Sequence, residues 1–132
     1  LEGARDTRTG VLGGEGRGCC AGAALAEPMP GDIAVMIEEE YKPFLTGIAG
    51  SEKIWIASVH GSAAGIGGAL AMTCDFCTMA EDSSIYLAFA AIGLIPDGGA
   101  TLQVLNAMGY RRALETVVEA RKLVRLMLPH GA

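Results

Sequence analysis

Apolar positions recur along this chain with two different periods, and their alternation predicts strands interleaved with helices. Ile54-Trp55-Ile56-Ala57-Ser58-Val59 is the strongest strand signal, a β-branched and aromatic run apolar enough to suggest burial on both faces. Ile33, Met36, Ile37, Tyr41 and Phe44 recur at helical spacing behind Asp32, which has the chemistry of an N-cap. Pro43 should kink or end that helix. The small residues from Gly65 to Cys74 predict a short, closely packed helix; Phe76 to Ala80 reads as a strand, and Ile85 to Phe89 as another. A helix from about Ala100 to Met108 stops at Gly109. After it, Arg111 to about Leu126 predicts an amphipathic helix with Leu114, Val117, Val118 and Leu123 near one stripe. At the other end, Leu1 to Arg5 resembles the tail of a helix and Val11-Leu12 the remnant of a short buried strand, with loops at 13–18 and 27–31. Strands alternating with helices indicate an α/β fold with largely parallel pairing, built from repeated strand-strand-helix or strand-helix turns.

The composition fits one packed domain. The 132 residues are 51% hydrophobic and 19% charged, which supplies a core and argues against disorder. The net charge of −5 removes the broad cationic footprint that non-specific nucleic-acid binding requires, so DNA and RNA are not expected partners. Cys19, Cys20, Cys74 and Cys77 do not form the framework of a small secreted domain; together with the polar start of the chain, this makes a reducing, cytoplasmic setting the expectation. From Ile54 to Cys74 no charged residue occurs, yet His60, Ser58, Ser62, Thr73 and four glycines interrupt the run, so no membrane span is expected.

Several segments carry candidate chemistry. The glycines at 13–18 give a Gly-x-Gly-x-Gly spacing without a complete dinucleotide fingerprint or a phosphate-loop Lys-Ser/Thr pair. Cys74-x-x-Cys77 has the spacing of a metal or redox pair, but the other thiols are adjacent in sequence, which strains a tetrahedral site; packing as small apolar residues is the alternative. No metal is expected. His60-Gly61-Ser62 lacks a matching nucleophile segment downstream, and a structural histidine explains it better. Residues 20–25 and 61–68 both place small residues where a strand turns toward a helix, which leaves backbone N–H groups free to point at an anion. Tight turns with close helix packing would give the same composition, and spacing alone leaves both readings open.

The runs GEGRGCCAGA at 14–23, IASVHGSAAGIGGALAMTCD at 56–75, AED at 80–82 and IGLIPDGGAT at 92–101 closely resemble the enoyl-CoA hydratase/isomerase (crotonase) family, in family order, over about residues 11–115. The resemblance implies a crotonase-like spiral of strand-strand-helix turns. It implies acyl-CoA thioesters as substrates, coenzyme A entering as part of the substrate, no tightly bound cofactor, and a homo-oligomer, trimer or hexamer. Carried over by position, the two N–H groups of an oxyanion hole fall on Ala23 and Ile66, and Ala21, Ala23 and Leu25 border the CoA moiety. The positions of the two glutamates used for hydration hold Ala69 and Phe89, neither of which exchanges a proton. A third family position, used by some isomerases and by the dehalogenase branch, falls on Asp97. One carboxylate beside an apolar acyl pocket suffices to move a proton between two carbons, so double-bond isomerisation is expected over hydration. Asp97 followed by two glycines would equally serve as the N-cap of the next helix. Arg17, Lys42, Lys53, Arg111 and Arg112 are candidates to steer the CoA phosphates. Relative to the family pattern the 132 residues form a single core domain that lacks the N-terminal strands and C-terminal helices. A non-catalytic binding or assembly module is therefore the alternative expectation.

Overall fold

The computed structural model describes residues 6–24 and 32–124. Six strands and five α-helices follow one another as β1 (Thr9–Gly13), α1 (Ile33–Met36), α2 (Lys42–Ala49), β2 (Ile54–Val59), β3 (Ser62–Ala64), α3 (Ile66–Thr73), β4 (Phe76–Met79), β5 (Ser84–Tyr86), α4 (Ala100–Met108), α5 (Tyr110–Val118) and β6 (Lys122–Val124). A π-helical turn (Ile37–Tyr41) joins α1 to α2. The strands are shared between two sheets of order β1-β2-β4 and β3-β5-β6. Within the first all pairs are parallel; in the second β3 pairs β5 in parallel and β6 closes it antiparallel. Each turn of chain therefore lays one strand in each sheet and then a helix. β2, β3 and α3 make one such turn, and β4, β5 and α4 the next. The turn before them has the same plan, because Cys20 forms a parallel bridge to Ala63 and so continues the second sheet beyond β1. This is the expected strand-strand-helix winding.

The core lies between the sheets and around α3. Trp55, Ala57 and Val59 point inward from β2, and Ile85, Leu87, Leu123 and Val104 are fully buried. Gly67 and Gly68 let α3 sink into this space: a Cβ at Gly67 would stand 2.7 Å from the Cys20 side chain, and one at Gly68 would stand 3.0 Å from Ile85. Asp75 anchors the end of α3 to the first sheet by accepting the Trp55 amide at 2.7 Å.

Several local expectations are corrected. β2 is buried on one face only: Ile54 remains 48% exposed and Ser58 is exposed, because no layer among the described residues covers the outer face of the first sheet. Pro43 does not end its helix. It sits in the first turn of α2, which follows the π turn without leaving helical backbone, so the interruption of the α ladder that a proline brings falls directly before it. α2 buries Leu45 and Ile48 while Phe44 stays exposed. The run after Gly109 is a helix only to Val118. Its buried residues are Ala113 and Thr116, and Leu114 and Val118 lie exposed. Leu123 is buried for a different reason, opposite Ile85 in the β5–β6 ladder. The strand expected over 85–89 is confined to Ser84–Tyr86, and a short 3-10 turn follows at Ala90–Ile92. The helix tail at 1–5, the loop at 27–31 and Leu126 lie outside the described residues.

α5 ends in a Schellman turn, with the Arg121 amide donating to Thr116 O and the Ala120 amide to Val117 O. Ala120 occupies the left-handed position of that turn at φ 48°, where glycine carries no steric penalty. Ala120→Gly is expected to raise stability by about 0.5–1 kcal/mol, read as a higher denaturation midpoint with unchanged slope.

Candidate active site

The two small-residue turns are brought together by backbone hydrogen bonds. The amides of Cys19 and Cys20 donate to Ser62 O, and the Ala64 amide donates back to Cys20 O at 2.8 Å. The second turn is held from its other side, where the Gly65 amide donates to Tyr86 O at 2.9 Å. Gly22, at φ 84°, then makes a close approach: a Cβ there would lie 2.7 Å from the Ala64 carbonyl oxygen and 3.5 Å from the Ile66 amide nitrogen. No L-residue with a side chain fits this place without displacing backbone. Beyond it, the Ala23 and Ile66 amides have no backbone acceptor among the described residues. Ile66 is the first residue of α3, and an amide at that position has no partner within its helix.

A cavity of about 100 Å³ opens at this junction. Ala21, Ala23, Gly65 and Ile66 form one side of it, and Met36, Ile37, Tyr41, Phe89 and Leu94 supply most of the apolar remainder. Asp97 is the carboxylic acid among its lining residues. Four positions singled out in the sequence, Ala21, Ala23, Ile66 and Asp97, thus share one cavity. Leu25 lies outside the described residues.

Asp97 is not an N-cap side chain. The cap of α4 is Gly99, in the left-handed conformation and without a side-chain hydrogen bond, and the Asp97 main-chain carbonyl accepts the Ala100 amide. Asp32 does act as a cap, accepting the Ala34 amide at 2.9 Å. The Asp97 Oδ1 atom is buried without a hydrogen-bond partner among the described residues. Burial pushes its carboxyl above the ordinary value of 3.8, and a backbone hydrogen bond at Asp97 itself offsets part of that rise. The folded chain therefore holds this proton more tightly than the unfolded chain. Stability from this group falls as pH rises from 3.8 through the folded value, and the deficit persists above it. Asp97→Asn removes the ionisable group. Its stability relative to the wild type is expected to be more favourable at neutral pH than near about pH 4, as measured by urea unfolding at both.

Tyr41, Met36 and Ile37 also line the cavity, although in the sequence they mark only an apolar helix stripe. Their helical spacing was the available signal, but which cavity that stripe lines depends on the winding of the whole chain. Ala69 and Phe89, which the resemblance sets at the hydratase glutamate positions, have apolar surroundings: Ala69 is fully buried beside Gly98, and Phe89 lines the cavity. None of the five candidate cations lines the cavity; Lys42 pairs with Glu38 at 2.5 Å on the surface. His60 Nε2 lies 3.1 Å from Gly16 O and ties the glycine loop to the end of β2, a structural role. The thiols are free. Burial, with the neighbouring Cys77, Asp75 and Cys19 charges, pushes the Cys74 thiol up to about 11, a protonated state suited to packing and poor for metal ligation. Cys77, in contrast to the packing expectation, is exposed on β4. Among the described residues no three His, Cys, Asp or Glu side chains converge as a metal site, and no helix is long and apolar enough to cross a membrane.

Strand-strand-helix turns that lay successive strands in two sheets are the plan of the crotonase fold. The family model described as enoyl-CoA hydratase/isomerase matches residues 1–125, and the chain belongs to that family. A probable enoyl-CoA hydratase of Rhodobacter capsulatus is 33% identical over 120 residues, covering 89% of this chain and 47% of the relative. A 1,2-epoxyphenylacetyl-CoA isomerase of Escherichia coli is 36% identical over 111 residues, covering 79% of this chain and 42% of that protein. The crystal structure of an enoyl-CoA hydratase from Mycobacterium avium subsp. paratuberculosis superposes with a TM-score of 0.80 at 32% identity, covering 91% of this chain and 48% of that one. The chain spans about half the length of the relatives it matches.

Proposed function

We propose that this chain carries the reaction centre of an acyl-CoA enzyme that moves a double bond along an enoyl thioester. The observation that carries the reading is the buried Asp97 Oδ1, without a hydrogen-bond partner among the described residues, at a cavity that Asp97 lines together with Ala23 and Ile66. In its ionised form Asp97 takes a proton from the carbon next to the thioester of a 3-enoyl-CoA. The resulting dienolate carries its negative charge on the thioester oxygen, where two fixed amide donors would lower the barrier by several kcal/mol. Asp97 then returns the proton at the far end of the conjugated system, and a 2-enoyl-CoA leaves with no net gain or loss of protons. A carboxyl held above its ordinary value suits both steps, since it must accept and then give up the same proton.

Hydration by a pair of carboxylates is poorly served, because Ala69 and Phe89 occupy the positions where the family resemblance places them. The reading needs no bound cofactor, since coenzyme A arrives with the substrate. Leu102, Leu114 and Val118, exposed on α4 and α5, offer apolar surface that a homo-oligomer, trimeric or hexameric, would cover. The test is to supply a 3-enoyl-CoA and follow formation of the conjugated 2-enoyl-CoA. Conversion is expected; a bound thioester that is hydrated, or left unchanged, would contradict isomerisation.

A further inference from the structure

The cavity beside the two turns is apolar except at two side chains. Among its described lining residues, Asp97 and Tyr41 are the two whose side chains titrate or carry an N–H or O–H. Neither is satisfied by protein: Asp97 Oδ1 is buried without a partner among the described residues, and the Tyr41 hydroxyl makes no hydrogen bond there. Packing draws the two together. Tyr41 ends the π turn, in which the Lys42 amide donates to Ile37 O, and lies half-buried against the core. Leu45 follows one helical turn along α2, about 6 Å of rise. It meets the residue next to Asp97, since a Cβ at Gly98 would stand 3.3 Å from Leu45. Ile66 and Ala69 of α3 close on Gly98 from the other side. No charged group intrudes from these elements. Neither α3 nor α4 contains a titratable side chain, and Lys42, the cation nearest in sequence to Tyr41, is paired with Glu38 on the surface.

We propose that Tyr41 is a positioning residue for Asp97: its hydroxyl donates to a water that donates in turn to the Asp97 carboxylate, so that the base is ionised and oriented before substrate enters. This rests on the reading of Asp97 as the acid–base group and adds to it the residue that readies that group. An apolar cavity by itself favours the neutral carboxylic acid, which cannot take a proton from carbon; a hydrogen bond offered to the charged form opposes that preference. At an apolar wall a phenylalanine would pack as well as Tyr41, and no protein partner among the described residues accounts for the hydroxyl. The cavity of about 100 Å³ has room for the bridge. A water occupies about 30 Å³ in the liquid and is held by two or more polar groups, which Tyr41 and Asp97 supply. The acyl carbons take its place when a thioester binds, so the effect belongs to the free enzyme.

The experiment follows the Asp97 carboxyl carbon by NMR over pH in the 132-residue chain labelled at aspartate, with Asp97→Asn identifying its resonance. Tyr41→Phe keeps the ring and loses only the hydroxyl. It is expected to raise the titration midpoint by about 0.5–1 pH unit, the effect of losing one hydrogen bond to a carboxylate. The sign separates this role from packing, because a substitution that merely loosened the cavity would admit solvent and bring the midpoint down toward 3.8. Tyr41→Met removes the same hydroxyl and gives the reading if Tyr41→Phe lacks the wild-type circular dichroism spectrum. The acid limb of kcat/KM for a 3-enoyl-CoA, which reports the free enzyme, should rise with the midpoint, leaving the variant about 3–10-fold slower on the acid side and close to wild type above the limb. A midpoint that stays or falls in a folded variant would overturn the proposal and leave Asp97 as the acid–base group. A wild type that binds the thioester without isomerising it would overturn the reaction, and a raised midpoint would then still join Tyr41 to Asp97.

Discussion

Asp97→Asn is expected to lower the rate of 3-enoyl-CoA isomerisation by about 10²–10⁴-fold, the usual contribution of a positioned acid–base group. The substitution keeps shape and polarity but removes the ability to take and return a proton. Because the Asp97 side chain caps no helix and its buried Oδ1 has no hydrogen-bond partner among the described residues, the change costs no hydrogen bond at that atom. Binding of a saturated acyl-CoA should therefore survive with an affinity within a few-fold of wild type. A variant that binds and turns over normally would remove Asp97 from the chemistry. The residual pH dependence supplies a second readout. The acid limb of the wild-type rate should lie above 3.8, displaced by burial of the carboxyl, and should be missing from the small activity of the variant.

Gly22→Ala is expected to have the second large effect. The left-handed φ of 84° and the 2.7 Å approach to the Ala64 carbonyl leave no room for a methyl group, so the turn carrying Ala23 must retreat from the turn carrying Ile66. Losing one preorganised donor to a developing oxyanion costs about 10²–10³ in rate, and the strained backbone adds about 1–2 kcal/mol of destabilisation. Gly16→Ala separates the two contributions. Gly16 has nearly the same φ, 81°, but open space where its Cβ would be. It should lose a similar amount of stability and keep the rate. Equal rates for wild type and Gly22→Ala would mean that the spacing of the two turns does not matter.

The parts of the fold readable in the sequence are those where backbone geometry dictates residue type. Gly22, Gly65 and Gly98 all have positive φ, and their neighbours are small because two turns and a helix meet there. The same necessity made the turns recognisable. Asp97 shows the limit of local reading, since an Asp before two glycines serves a cap and a catalyst equally well until the cap is seen to be Gly99. β6 was missed because Leu123 continues the helical spacing of α5, and the reversal that ends the helix uses Ala120 in place of the glycine that would have announced it. The exposure of Leu114, Val118 and the outer face of β2 depends on what lies beyond each apolar surface, which spacing within one segment does not encode. The π turn likewise left no mark in the apolar spacing of its segment.

The central claim is that the Ala23 and Ile66 amides assemble into a site for negative charge on a thioester oxygen. Titration calorimetry with acetoacetyl-CoA and with free coenzyme A tests it most directly, because the enolate of the former presents that charge at that atom. The account predicts that acetoacetyl-CoA binds at least about tenfold more tightly, a margin of about 1.4 kcal/mol, and that Gly22→Ala loses the preference. Equal affinity of the two ligands for the folded chain would contradict it.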